Sequence, residues 1–179
     1  MSKTFIHEFR LKTTPKQEKI LNIILELARY LYNAVLGEGL KRIKLIKESK
    51  LIKESKLNTK AKKDKNYKLY NEINKFYNFS DFSLQSFAIK TKNECNIKNH
   101  LDTHACQKIA TRAYLALYKY LTRKAGKPRF KSKNRLSSIE GKSNVAGLKF
   151  KNNKLYYKKI ELDIVLDKKD KYGVQKYAL

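Results

Sequence analysis

The chain has 179 residues, and 42 Lys and Arg against 16 Asp and Glu leave a formal charge of +26. That length suits one ordinary domain or two small lobes, and such an excess repels itself in the compact state unless a polyanion offsets it. RNA, DNA or an anionic membrane are the candidates. The membrane is the weakest, because no run approaches the roughly 18 apolar residues that span a bilayer and the N-terminus has no signal-peptide core. A cytosolic location, in the prokaryotic cytosol or nucleoid, is the expectation.

Lys3 to Lys12 alternates as a strand, with Phe5, His7, Phe9 and Leu11 on one face. Thr14, Pro15 and Gln17 then announce a helix through an N-cap, a first-turn proline and a capping-box glutamine. Ile20, Ile24, Leu27, Leu31 and Ala34/Val35 follow at helical spacing as a core stripe, and Gly37 and Gly39 predict a bend. Lys44 to Ser49 is repeated verbatim as Lys50 to Ser55, a six-residue period that reads as a local duplication lengthening a helix or its connection. Asn58 to Asn66 reads as an exposed charged linker.

A further helical stripe runs through Tyr67, Tyr70, Ile73 and Tyr77 to a stop near Asn78, and another helix is predicted from about Leu84 to Cys95. Asp102 or Thr103 caps a long helix whose buried face is Cys106, Ile109/Ala110, Ala113, Leu117 and Tyr120/Leu121. Cys95 and Cys106 form neither a C-x-x-C pair nor a disulfide framework. His100, His104 and Cys106 lie close in sequence, yet polar interior or capping roles suit them better than a metal site.

Between Lys119 and Arg135 eight cationic residues occur without an acid: Lys119, Arg123, Lys124, Lys127, Arg129, Lys131, Lys133 and Arg135. Gly126 is expected to supply the left-handed residue that stops the helix, and Pro128 to prevent its resumption. An extended backbone beyond it puts Arg129, Lys131, Lys133 and Arg135 on one side, about 6–7 Å apart, alternating with Phe130 and small polar residues. That interval roughly matches successive phosphates of a nucleic-acid strand. A strand from Val145 to Phe150, a turn at Asn152-Asn153, a return strand from Lys154 to Ile160 and a further strand through Leu162, Ile164 and Leu166 close the chain. The first strand and the last ones are expected to share a sheet or partial barrel.

Five strings occur in order: Phe9-Arg10-Leu11, Arg29-Tyr30-Leu31-Tyr32-Asn33-Ala34, Leu101-Asp102-Thr103-His104-Ala105-Cys106-Gln107, Gly126-Lys127-Pro128-Arg129-Phe130-Lys131 and Ser138-Ile139-Glu140-Gly141-Lys142-Ser143-Asn144. Together they resemble the N-terminal half of the TnpB (OrfB) family of insertion-sequence proteins, RNA-guided DNA endonucleases related to type V CRISPR nucleases. The resemblance implies an α+β fold, a helical recognition bundle inserted into an incomplete oligonucleotide-binding-type β-barrel, the wedge domain. Its parts would be residues 1–12 as first wedge strand, 13–126 as recognition lobe, and 127–179 as basic hinge and remaining wedge strands. It implies guide RNA and double-stranded target DNA as partners, with Phe82, Ser86, Thr103 and Gln107 reading a motif beside the target. Glutamine suits bidentate pairing with adenine, while Thr103 stands where relatives can carry a lysine.

The family's RuvC-like acids for Mg²⁺ and its four-cysteine zinc ribbon have no counterpart here: Asp163, Asp167 and Asp170 follow one another without the motif. The expectation is therefore a truncated chain with no catalytic residues, no metal and no cofactor of its own. A nuclease-less DNA-binding regulator and a plain RNA-binding accessory protein are the alternatives.

Overall fold

The computed structural model describes residues 8–49, 71–142 and 146–165. The chain is α+β: helices packed on one another, and a four-stranded antiparallel sheet that joins the two ends of the described chain. Strand β1, Arg10–Lys12, leads into helix α1, Pro15–Glu48. Residues 71–76 are helical, followed by α2, Asp81–Glu94, a 3-10 turn at Ile97–Asn99, and α3, Thr103–Leu121. Strands β2, Lys149–Lys151, β3, Lys154–Tyr157, and β4, Ile160–Val165, complete it.

Helix α1 starts where its capping box predicts. The Thr14 N–H donates to Gln17 Oε1 at 2.8 Å, and the Gln17 N–H to Thr14 Oγ1 at 3.3 Å. The amide nitrogen of Gln17 then donates to the Glu161 carbonyl at 2.8 Å, so one side chain caps the helix and ties it to β4. The stripe of Ile24, Leu31 and Val35 is buried as expected, with Ile20 and Leu27 packed at its margin.

The helix is not interrupted at the glycines: thirty-four residues run unbroken, about 50 Å at 1.5 Å per residue. Gly39 is a contact point, where a Cβ would stand 2.2 Å from Leu117 Cδ1. Close approach of α1 and α3, not flexibility, requires that glycine. By length and composition α1 contains a window apolar enough to cross a membrane, contrary to the sequence reading. In this fold its apolar face is part of the shared core with Leu84, Ala88, Ile109, Ala113 and Leu117.

Helix α2 begins at Asp81, three residues before the predicted start, because Ser80 is its N-cap and exchanges hydrogen bonds with Ser83. Asp102 caps α3 by accepting from the His104 and Ala105 N–H groups at 2.8 and 3.0 Å. Gln85 Nε2 reaches Thr111 Oγ1 at 3.1 Å and Lys92 Nζ reaches Thr103 Oγ1 at 3.0 Å, so α2 and α3 run antiparallel. The segment ends near Asn78, as predicted, and Asn78 itself is left-handed (φ 54°).

In the sheet the strand order is β1-β4-β3-β2, and Leu11 pairs with Ile164, which bears out the sharing of one sheet by the first and last strands. The Asn152-Asn153 turn has φ of 52° and 60°, the two left-handed residues of a type I′ hairpin. The return strand stops at Tyr157, earlier than predicted, because Lys158 at φ 54° makes a second tight turn and gives Ile160 to β4. β2 begins at Lys149. The sheet is open, and the ring of Phe9, beside β1, stacks on that of Phe150 in β2 at 5.9 Å, a side-chain contact between the two outer strands of the order. The second hexapeptide repeat, the Asn58 to Asn66 linker, Tyr67 and Tyr70, Phe5 and His7, Leu166, and Asp167 and Asp170 lie outside the described residues.

Candidate nucleic-acid interface

The acid-free cationic run has two halves in the structure. The first is the end of α3. Lys119 occupies its last turn, Thr122 is the C-cap, and the N–H groups of Lys124 and Ala125 both donate to the Lys119 carbonyl at 2.8 and 3.2 Å. The left-handed residue that stops the helix is Arg123 at φ 58°, not Gly126, whose surroundings are open. Lys119, Arg123 and Lys124 are therefore exposed cations at the negative end of the helix dipole, where positive charge is stabilising. Lys47 of α1 approaches the same end, its ammonium 3.9 Å from the Tyr120 ring, and holds the Tyr120 hydroxyl below its ordinary range by a hydrogen bond and by its charge.

The second half, from Gly126 on, is extended and lies along α1. Asn33 grips it: the amide oxygen accepts from the Lys131 N–H at 2.8 Å, and the amide nitrogen donates to the Lys131 carbonyl at 2.9 Å. Arg29 donates to the same carbonyl at 3.0 Å. Glu26, 2.6 Å from the Arg29 guanidinium, fixes that arginine, and its carboxyl is pulled below the ordinary carboxylate range by the hydrogen bond from Arg29, with Lys133 adding to the effect. The Phe130 ring rests by α1 at Gly37, where a Cβ would stand 3.7 Å from its Cε1.

These contacts consume backbone and leave charge outward. Lys127, Arg129, Lys133 and Arg135 are exposed, Lys131 is half-buried with its ammonium 6.0 Å from the Tyr32 ring centroid, and Phe130 remains 59% exposed. Among the described residues no salt bridge holds any of the four exposed cations. The expected single row of four charges is interrupted: Lys133 and Asn134 form a turn, with Asn134 at φ 61° and the Arg135 N–H returning to the Ser132 carbonyl at 3.1 Å. Arg135 thereby folds back toward Pro128 to Ser132, and with Tyr32 these residues line an open groove of about 320 Å³.

Beyond the turn Leu136 is buried and the chain crosses α3, where Lys108 pairs with Glu140 and Arg112 donates to the Ser138 carbonyl at 2.9 Å. Gln107 Oε1 accepts from Lys142 Nζ at 3.3 Å. Of the residues assigned to duplex reading, Phe82 is 78% exposed, Ser86 donates to the Phe82 carbonyl at 3.0 Å, and Thr103 accepts from the buried Lys92. Antiparallel packing staggers the Phe82/Ser86 pair along the bundle from Thr103/Gln107 rather than setting the four side by side.

Among the described residues no group of three His, Cys, Asp or Glu side chains is placed to hold a metal ion. Burial pushes the Cys106 thiol up to about 12, which makes it a poor source of thiolate at neutral pH. Asp163 is exposed, 3.4 Å from Lys154, which pairs also with Glu161.

Residue-by-residue reading of the chemistry missed Arg29, Tyr32, Asn33 and Lys92. A usable signal existed for the first and third: Arg29 and Asn33 are polar residues four apart on a helix whose neighbouring face is Ala28, Leu31 and Tyr32.

Residues 1–48 match the family model for a helix-turn-helix domain of IS605 OrfB proteins. The described part of that stretch is one strand and one unbroken helix, without a turn between two helices. Neither the curated proteins nor the solved structures yield a match. The matched stretch contains the strand that pairs with β4 and the helix whose Arg29 and Asn33 hold the basic segment, and over residues 1–48 the chain is similar to the helix-turn-helix domain of IS605 OrfB proteins.

Proposed function

We propose that this chain is the nucleic-acid-binding part of an OrfB-type transposon protein, holding a guide RNA along the basic segment and meeting target-adjacent duplex DNA through α2 and α3. The observation that carries the reading is the docking of residues 126–135. Three hydrogen bonds from Asn33 and Arg29 fix the Lys131 peptide groups, while Lys127, Arg129, Lys133 and Arg135 stay exposed. Backbone anchoring with side chains outward is what a phosphate-tracking surface requires, because ordering the cations beforehand lowers the entropy lost on binding. The family match supports nucleic-acid binding. The pairing of β1 with β4 and the Phe9–Phe150 ring stack between the outer strands support a partial barrel of the wedge type, entered by β1 and resumed after the inserted helices.

The chain's own part in this reading is binding in the cytosol, with no cleavage, no cofactor and no membrane. Neutralising six to ten phosphates lowers affinity by about 10³–10⁵ between 50 and 200 mM salt. A filter-binding titration with single-stranded RNA measures this. Replacing Lys127, Arg129, Lys131 and Lys133 together with Ala is expected to reduce the log-log slope by about three units. A salt-independent affinity overturns the reading. Mg²⁺-dependent cutting of labelled DNA by the purified chain overturns the part that denies it cleavage.

A further inference from the structure

Phe130 is exposed beside cations, and its place is built. Its backbone is held from the next residue by the two-way Asn33 amide and by Arg29. One edge of the ring lies against α1 at Gly37, where even an added Cβ would stand at an ordinary contact distance of 3.7 Å. The residue is nonetheless 59% exposed. The turn at Lys133-Asn134 brings Arg135 round to the same groove as Tyr32, Arg129 and Phe130, and its volume of about 320 Å³ is at the low end for sites that take a small molecule.

We propose that this groove seats one unpaired nucleobase of a single strand, stacked on Phe130, with the flanking phosphates held by Arg129 and Arg135. The inference rests on the nucleic-acid reading above and adds to it which form of nucleic acid the basic segment takes. In a duplex each base face is covered by its neighbours, so an aromatic ring finds a face only on a base that is out of the stack. Rings interleaved with cations are the arrangement by which single strands are held without dependence on sequence. Pure phosphate tracking has no use for an exposed phenyl ring, whose hydration is unfavourable. The anchored backbone gives the ring a fixed position, so little is lost in ordering it when a base arrives.

The test uses the full chain, a single-stranded RNA carrying 2-aminopurine, and a blunt duplex of the same sequence, at one salt concentration. Phe130→Leu keeps apolar bulk and removes the aromatic face; Phe130→Tyr keeps the face. Phe130→Leu is expected to weaken single-strand binding by about 5- to 150-fold, the range for loss of one stacked base, and to leave duplex binding within about twofold. Phe130→Tyr restores the single-strand affinity, and wild-type binding quenches 2-aminopurine fluorescence. An equal loss on both forms, or no loss on either, overturns the stacking seat and leaves the nucleic-acid reading standing. Failure of the wild-type chain to bind either form overturns both.

Discussion

The helices and the sheet of this molecule are held in opposite ways. Ala28, Leu31, Val35, Leu36, Leu84, Ala88, Ala110, Ala113 and Leu117 are wholly buried where the helices meet. All three residues of β1 are exposed, and in β2 only Phe150 is partly covered. The sheet's own contribution to the core is Tyr157, Ile160 and Leu162, on the face turned inward. It is tied to the helical body at few polar points: Gln17 to the Glu161 carbonyl, Lys158 to the Lys98 carbonyl at 3.0 Å, and the close approach of Gly147 to the Asp102 carboxylate. A small sheet with short edges is marginal by itself, and Arg10, Lys12, Lys149 and Lys151 on its edges discourage pairing with other chains. The helices are a packed body; the sheet is an attachment positioned by it. The basic segment follows the first logic, since α1 holds it.

The sharpest test of that contrast is a pair of leucine truncations. Leu117→Ala leaves a cavity at the centre of the helical body and is expected to cost about 2–5 kcal/mol. Leu11→Ala, in an edge strand and 40% exposed, is expected to stay within about 0.5 kcal/mol. Urea midpoints with unchanged slope measure both, and similar losses would show that the sheet shares the body's packing.

A smaller effect separates two glycines on one helix. Gly39→Ala forces a Cβ to within 2.2 Å of Leu117 and is expected to cost about 1–3 kcal/mol through overpacking. Gly37→Ala places its Cβ at an ordinary 3.7 Å from Phe130 and is expected to stabilise the helix by about 0.5–1 kcal/mol. If both substitutions act alike, the close contact of α1 with α3 is not the constraint described.

The smallest expected effect is in pH. Burial raises the Cys106 thiol from 9.0 to about 12, and burial also raises Tyr32 and Tyr157 above their ordinary range, with the Asp102 charge adding to the effect at Tyr157. For each, the folded form binds the proton more tightly than the unfolded form. Their stabilisation is therefore fully present below the ordinary values of 9.0 and 10.0 and declines as pH rises above them. A denaturation series at increasing alkaline pH is expected to show falling stability from about pH 9 upward. At neutral pH a thiol reagent is expected to modify exposed Cys95 at once and Cys106 only on unfolding, so simultaneous labelling would contradict the tight body.

Local signals were legible in the sequence wherever the deciding atoms are near neighbours. The Thr14–Gln17 box, the Asp102 cap, the Asn152-Asn153 hairpin and the buried stripe of α3 depend on spacings of one to four residues, and each forms as its residues imply. The sharing of one sheet by first and last strands was legible too, because an alternating pattern at each end leaves edges that can pair.

Tertiary structure decided the rest. Gly37 and Gly39 are helix breakers on local propensity, yet α1 runs through both, and Leu117, far away in the chain, makes Gly39 a packing position. Gly126 is the obvious helix stop, but the double acceptance by the Lys119 carbonyl closes α3 earlier and makes Arg123 the left-handed residue. The basic composition of residues 119–135 was visible at once; that Asn33 and Arg29, about a hundred residues upstream, would hold its middle was not. Charge is a property of the chain and is read directly from it. The direction in which charge points depends on which distant backbone groups are held, and only folding brings those groups together.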